Sequence, residues 1–312
     1  MADDPSDPVR RSLEKALGGQ HTILRLLGRG GMGAVYLARD TALERLVAIK
    51  VLPLDRGEDA ASRERFRREA RTAARLTHPN IVPLHGFGEA DGMLYLVMGY
   101  VQGEPLSARM RQGRASGLVE ARRIGAEIAD ALDHAHGRGV VHRDVKPDNI
   151  LIDDETGRAM LADFGIAKAK GAGTAVTQAG GVIGTPAYMS PEQAAGREDL
   201  EGRSDLYSLG VVLYALIAGK PPFEGKDGGV LLVKHLTQAP PSLKAARSDV
   251  PDDLAAAVMR CLAKDREARF PDARLAPVGL LADGSSMPSA PRPRAKATSG
   301  GGAAACFRSR SS

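Results

Sequence analysis

Between the apolar pairs Val140-Val141 and Ile150-Leu151 the chain reads His142-Arg143-Asp144-Val145-Lys146-Pro147-Asp148-Asn149. After a turn at Asp153 to Gly157 comes Leu161-Ala162-Asp163-Phe164-Gly165. Strand-like runs on both sides press this charged loop toward an interior, where ionic groups are costly unless paired or bound to something ionic. Phosphoryl transfer leaves a protein little covalent chemistry. What it needs is hard oxygen ligands for Mg2+, cations for phosphate and a carboxylate for a hydroxyl, and this loop contains all three.

Upstream, Gly28-Arg29-Gly30-Gly31-Met32-Gly33 sets glycines at the first, third and sixth positions between two strand-like runs. Missing side chains let backbone amides approach a phosphate. Alone the run fits a flexible hairpin equally well, and a dinucleotide fold would need a helix where Ala34-Val35-Tyr36-Leu37 reads as a strand. Lys50 ends the apolar strand Val47-Ala48-Ile49, where an ammonium is costly to bury without phosphate oxygens and a carboxylate. Glu69, between Phe66 and Ala73 on the inner edge of the next helix, is the natural carboxylate.

Strand signals at Ile23-Leu24, Ala34 to Leu37 and Val47 to Ile49 predict an antiparallel meander, and Ile81–Phe87 and Met93–Met98 add two strands. Phe66, Ala70, Ala73 and Leu76 recur at helical spacing within 61–76, and the arginines from Arg63 to Arg75 read as its solvated face. Val119–His136, Asp205–Ala218 and Leu254–Ala263 read as helices, the second apolar almost all round and therefore buried. The predicted class is α+β, with a small five-stranded lobe carrying one main helix above a larger, mainly helical lobe.

The expected organisation is a lead-in over 1–20, with one short helical pattern at Val9, Leu13 and Leu17. A domain over 21–275 follows, its small lobe about 21–98, connector 99–103 and large lobe 104–275. The basic tail over 276–312 is rich in Pro, Ser, Gly and Ala and is expected to be disordered. Of 312 residues, 43% are hydrophobic, enough for a sizeable core. The net charge of +5 equals that of the stretch from Gly284 onward, whose Arg292, Arg294, Lys296, Arg308 and Arg310 are joined by no acidic residue. A neutral body argues against nucleic acid as a partner. Two cysteines give no disulfide framework or metal-ligand spacing, and the longest apolar stretch is about half a membrane span, so a cytoplasmic protein is expected.

These motifs together resemble the eukaryotic-like serine/threonine protein kinases of bacteria, over about 21–270. The resemblance implies a glycine loop, Gly28 to Gly33 with Arg29, Gly30, Gly31 and Met32, over the phosphates of ATP. It implies that Lys50 holds the α and β phosphates and pairs with Glu69, that Asn149 and Asp163 bind Mg2+ with Mn2+ as a substitute, and that Asp144 accepts the substrate proton. Leu27, Val35, Ala48 and Leu151 would sandwich adenine, with Met98 behind it and Gly99 to Val101 offering backbone hydrogen bonds. Many relatives carry glutamate at Gly99, and glycine there is expected to loosen the hinge.

Lys146 and the segment Gly184 to Glu192 resemble the serine/threonine branch. By the same resemblance Thr185 bridges Asp144 and Lys146, Glu192 pairs with Arg269, and Asp205 ties down the catalytic loop. Arg143 would await a phosphate on Thr177, or Thr174, in the stretch between Gly165 and Gly184. The implied partners are proteins bearing Ser or Thr, the chain itself among them through a transient homodimer. A nucleotide-binding pseudokinase scaffold is the alternative. It would usually have lost Lys50, Asp144, Asn149 or Asp163, and a small-molecule kinase is disfavoured by the peptide-binding segment. His134, His136 and His142 are read as structural. After Phe270, Pro277 and Gly279 predict a short final helix.

Overall fold

Helix α1 (Pro8–Leu17) starts abruptly because Asp7 caps it, accepting the amide of Val9, and Pro8 has no amide to satisfy. Gly18 and Gly19 end it at φ 55° and 81° and turn the chain into β1 (His21–Gly30). The computed structural model describes residues 7–30, 33–53, 60–90, 92–113, 117–164, 186–225 and 227–273. The tail over 276–312 and the final helix expected after Phe270 lie outside them.

Strands β1, β2 (Gly33–Asp40), β3 (Leu46–Pro53), β4 (Leu84–Ala90) and β5 (Met93–Gly99) form one sheet in the order β1-β2-β3-β5-β4, with every neighbouring pair antiparallel. Register sorts its side chains onto two faces. Tyr36, Ile49 and Val97 align across β2, β3 and β5 and pack with Leu13, Leu17, Ile23, Ala38 and Val47. Helix α1 is therefore part of this lobe's core, and the boundary expected at residue 20 cuts through shared packing. The opposite face carries Val35, Lys50 and Leu96 in one row and Leu37, Ala48 and Met98 in the next.

Helix α2 (Ala60–Ala73) buries Phe66 and Ala70, and Phe66 meets Phe87 of β4 edge-on at 6.1 Å. Its arginine face is not wholly solvated, since Arg63 and Arg67 each lie 3.1 Å from Glu89. The strand expected from Ile81 begins only at Leu84. Ile81 instead bridges Leu161, Val82 donates its amide to the Leu161 carbonyl, and Asn80 Nδ2 donates to that of Ala159. These bonds join the two lobes.

In the larger lobe, β6 (Gly103–Pro105), β7 (Ile150–Asp153) and β8 (Ala159–Leu161) form a three-stranded sheet. Helices α3 (Leu106–Arg111), α4 (Leu118–His136), α5 (Pro191–Ala194), α6 (Gly202–Ala218), α7 (Gly228–Thr237), α8 (Leu243–Ala246) and α9 (Asp252–Cys261) complete it. As its composition predicts, α6 is buried from Ser204 to Ile217, packed between α4 and α9.

Candidate active site

The charged loop from His142 to Asn149 hangs from one buried carboxylate. Asp205, in the first turn of α6, accepts the amide of His142 at Oδ2 and that of Arg143 at Oδ1, both at 2.8 Å, and His136 Nε2 also lies 2.8 Å from Oδ2. Burial alone would raise its pKa, but these donors hold it below the ordinary carboxylate value. His142 is fully buried, and burial pushes its pKa down. Its Nδ1 accepts the Asp144 amide, so Nε2 carries the proton donated to the Ala162 carbonyl at 2.9 Å. Its ring packs on Phe164 at 4.6 Å between centroids.

Held this way, the loop gathers its charged ends. Lys146 Nζ lies 2.9 Å from Asp144 Oδ2, and Asn149 Nδ2 donates to the same oxygen at 3.0 Å and to the Asp144 carbonyl at 2.8 Å. With the amide nitrogen of Asn149 so engaged, its oxygen is the atom left to meet a cation. Asp163 Oδ2 lies 2.7 Å from Lys50 Nζ. Arg143 and Asp163 hold φ at 65° and 61°, uncommon for residues with a Cβ and a form of strain that clusters at functional sites. Asn149 and Asp163 thus offer oxygen donors of the hard kind that Mg2+ favours when phosphate and water fill the rest of its shell.

One expectation is overturned here. Lys50 is 7% exposed and its ion pair is with Asp163, not Glu69. Glu69 lies in the field of Arg143, Arg68 and Arg65; burial raises its pKa and these guanidiniums oppose the rise. Burial outweighs them, so the Glu69 carboxyl is held above its ordinary value, while the ammonium of Lys50 is paired with Asp163.

Val35, Ala48, Lys50 and Met98 share the inner face of the sheet, as adenine and phosphate binding would require. Leu27 is the extra residue of a bulge in β1, where the register shifts between Leu26 and Gly28. Leu151 is half-buried in β7, opposite Met160 and Pro105. Gly28 and Gly30 stand where an added Cβ would meet nothing within 4 Å, and Gly33 has φ 116°, which favours glycine. The side chain of Arg29 turns to Asp7 and Tyr36. Gly31, Met32, Thr174, Thr177 and Thr185 lie outside the described residues.

The hinge corrects another reading. A Cβ at Gly99 would stand 2.9 Å from Pro83 Cγ, and the Gly99 amide donates to the Pro83 carbonyl, so glycine admits a close approach. Val101 follows on the connector.

Beyond the loop, Arg269 Nη2 bonds Glu192 Oε1 at 2.7 Å, as expected. Sequence reading missed Gln193, whose Nε2 donates to the Arg143 carbonyl at 2.7 Å. Its signal was present as Ser190-Pro191-Glu192-Gln193, a capping box that starts α5.

The sequence matches the family model described as "Protein kinase domain" over residues 21–275. It is 42% identical over 256 residues to serine/threonine-protein kinase PrkC of Bacillus subtilis, covering 82% of this chain and 39% of that protein. Identity to serine/threonine-protein kinase PknE of Mycobacterium tuberculosis is 41% over 264 residues, covering 85% and 46%. The chain thus spans less than half the length of these curated relatives. The crystal structure of the Mycobacterium tuberculosis PknI kinase domain aligns with a TM-score of 0.68 at 34% identity, covering 84% of this chain and 96% of that one.

Proposed function

The chain belongs to the protein kinase domain family, and from that premise we propose that it transfers the γ-phosphoryl group of ATP to serine and threonine hydroxyls of proteins. The observation that carries this is the joining of Asp144, Lys146 and Asn149 by direct bonds, with Asp163 held by Lys50 beside them.

In this reading Asp144 takes the hydroxyl proton and Lys146 offers its charge to the transferring phosphate. Asn149 and Asp163 hold Mg2+, or Mn2+ in its place, which neutralises phosphate charge when bound. Amides from Gly28 to Gly33 and the Lys50 ammonium position the phosphates. Leu27, Val35, Ala48, Met98 and Leu151 enclose adenine. The Gly99 amide is already engaged by Pro83, so the donor for adenine comes from Val101 and the acceptor from a Gly99 carbonyl.

Thr185 completes the serine/threonine assignment. Phosphate on Thr177 or Thr174 would be received by Arg143 and order the segment that carries it. Such autophosphorylation in trans needs a transient homodimer. No helix among the described residues is long and apolar enough to cross a membrane.

The test is phosphate transfer from MgATP to the protein itself and to a general acceptor such as myelin basic protein, wild type against Asp144→Asn. The expected result is labelling of wild type only, at Ser or Thr, with Thr177 or Thr174 among the sites. Nucleotide binding without transfer in both proteins would instead favour the scaffold.

A further inference from the structure

Helix α1 precedes the matched family region, yet it reaches the glycine-rich turn through a single side chain. Asp7 Oδ1 accepts the amide of Val9 and so caps α1. Asp7 Oδ2 accepts Tyr36 Oη at 2.6 Å and Arg29 Nη2 at 2.5 Å, and the same guanidinium nitrogen lies 3.4 Å from Tyr36 Oη. One carboxylate therefore ties a helix start, the buried end of a β2 side chain and a residue of the Gly28–Gly33 segment.

The helix bearing Asp7 is well anchored. Leu13 and Leu17 are buried against the outer face of the sheet, and Arg10 Nη2 donates to the Ile23 carbonyl at 3.2 Å. Its exit is fixed as well, because the Thr41 hydroxyl donates to the Gly19 and Gln20 carbonyls. The ladder between β1 and β2 runs to Gly30 and Gly33 with two register shifts behind it, which weakens it as a support for the turn. Glycines contribute no side chain, so Arg29 supplies a lateral tie for the turn.

We propose that Asp7 is a positioning residue for nucleotide binding, and that α1 acts as a brace holding the glycine-rich turn over the phosphates through Arg29 and Tyr36. The proposal rests on the kinase reading only in taking ATP as the nucleotide. Asp7 itself touches no substrate.

Asp7→Asn separates bracing from folding, because asparagine caps a helix about as well as aspartate, and with its oxygen on the Val9 amide its Nδ2 can donate to Tyr36 Oη in place of the bond that Oδ2 accepted. What it removes is the ion pair with Arg29, whose side chain is 46% exposed. In full-length protein, a fluorescent ATP analogue with Mg2+ should bind about two- to fivefold more weakly to Asp7→Asn, the range a half-exposed ion pair supplies. Hydrogen exchange across 28–33 should quicken without nucleotide, while the thermal midpoint stays at the wild-type value. KM for ATP should rise with kcat unchanged, and the effects of Asp7→Asn and Arg29→Gln should fail to add. Wild-type affinity and exchange in Asp7→Asn would overturn the brace and leave the kinase reading standing, as would a loss of affinity that merely follows a loss of stability. A wild-type protein that binds no nucleotide would overturn both.

Discussion

Lys50 Nζ and Asp163 Oδ2 meet at 2.7 Å across 113 residues of sequence, joining the small lobe's third strand to the end of the large lobe's hairpin. Lys50 is almost fully buried, while the Asp163 side chain remains a quarter exposed. The carboxylate can thus hold the ammonium with one oxygen and still face solvent or a cation.

Asp163→Asn should therefore do two separable things. It leaves a buried ammonium without its counter-charge, and thermal or urea unfolding without nucleotide should show a loss of about 1–3 kcal/mol, below the figure for a fully buried pair because Asp163 is partly hydrated. It should also raise the Mg2+ concentration needed for half-maximal nucleotide binding. Adding Lys50→Met should recover much of the stability and none of the Mg2+ response. Unchanged unfolding in the single variant would show that the pair contributes nothing.

Asp205 should control acid stability. Its folded-state pKa lies below the ordinary 3.8, so its contribution is complete above about pH 4 and is lost as pH falls through the folded-state value. Asp205→Asn puts an amide where two backbone donors and His136 converge, and should cost about 3–5 kcal/mol at pH 7. The variant's stability should also vary less than wild type's below pH 4. Parallel acid-unfolding curves for the two proteins would show that this carboxylate is not the group being titrated.

Residues whose chemistry is local were legible in the sequence. The charged loop, the glycine turn and the strand alternation through Val35, Ala48 and Lys50 follow from residue type and period alone, and the five-stranded sheet appears as expected. Partner choice among charges was not legible. Glu69 stands where a lysine partner is expected, but which carboxylate Lys50 takes depends on how α2 sits over the loop, a tertiary relationship that residue type and period do not carry. Helix α1 was visible as Val9, Leu13 and Leu17, yet nothing local said what its apolar face would cover. The short helices α3 and α8 carry too few turns to show a period.

Gly99 gives a test of hinge geometry. An alanine methyl would meet Pro83 Cγ at 2.9 Å, and a proline ring has little freedom to retreat. Gly99→Ala should cost about 1–2 kcal/mol as an overpacked contact, and Pro83→Ala should relieve most of it in the double variant. If Gly99→Ala instead stabilises the protein, as removing glycine flexibility alone would, the close approach does not govern this position.

The pair of Glu192 and Arg269 links stability to the segment expected to receive the substrate. Arg269 is buried and its guanidinium is fully used. It bonds both Glu192 oxygens, at 2.7 and 3.1 Å, and donates to the carbonyls of Ala263, Arg203 and Lys264. Burial alone would raise the Glu192 pKa, but Arg269 holds it down, so the pair is ionised. Lysine has three donors on one point and cannot reproduce that fork. Arg269→Lys should therefore cost about 2–4 kcal/mol in urea unfolding, within the range for breaking a buried network. Because Glu192 lies in α5 beside Gln193, which holds the Arg143 carbonyl, the damage should reach the catalytic loop from the substrate side. KM for a peptide acceptor should rise while KM for ATP stays put. If both KM values rise together, the pair supports the fold at large and has no special hold on the acceptor segment.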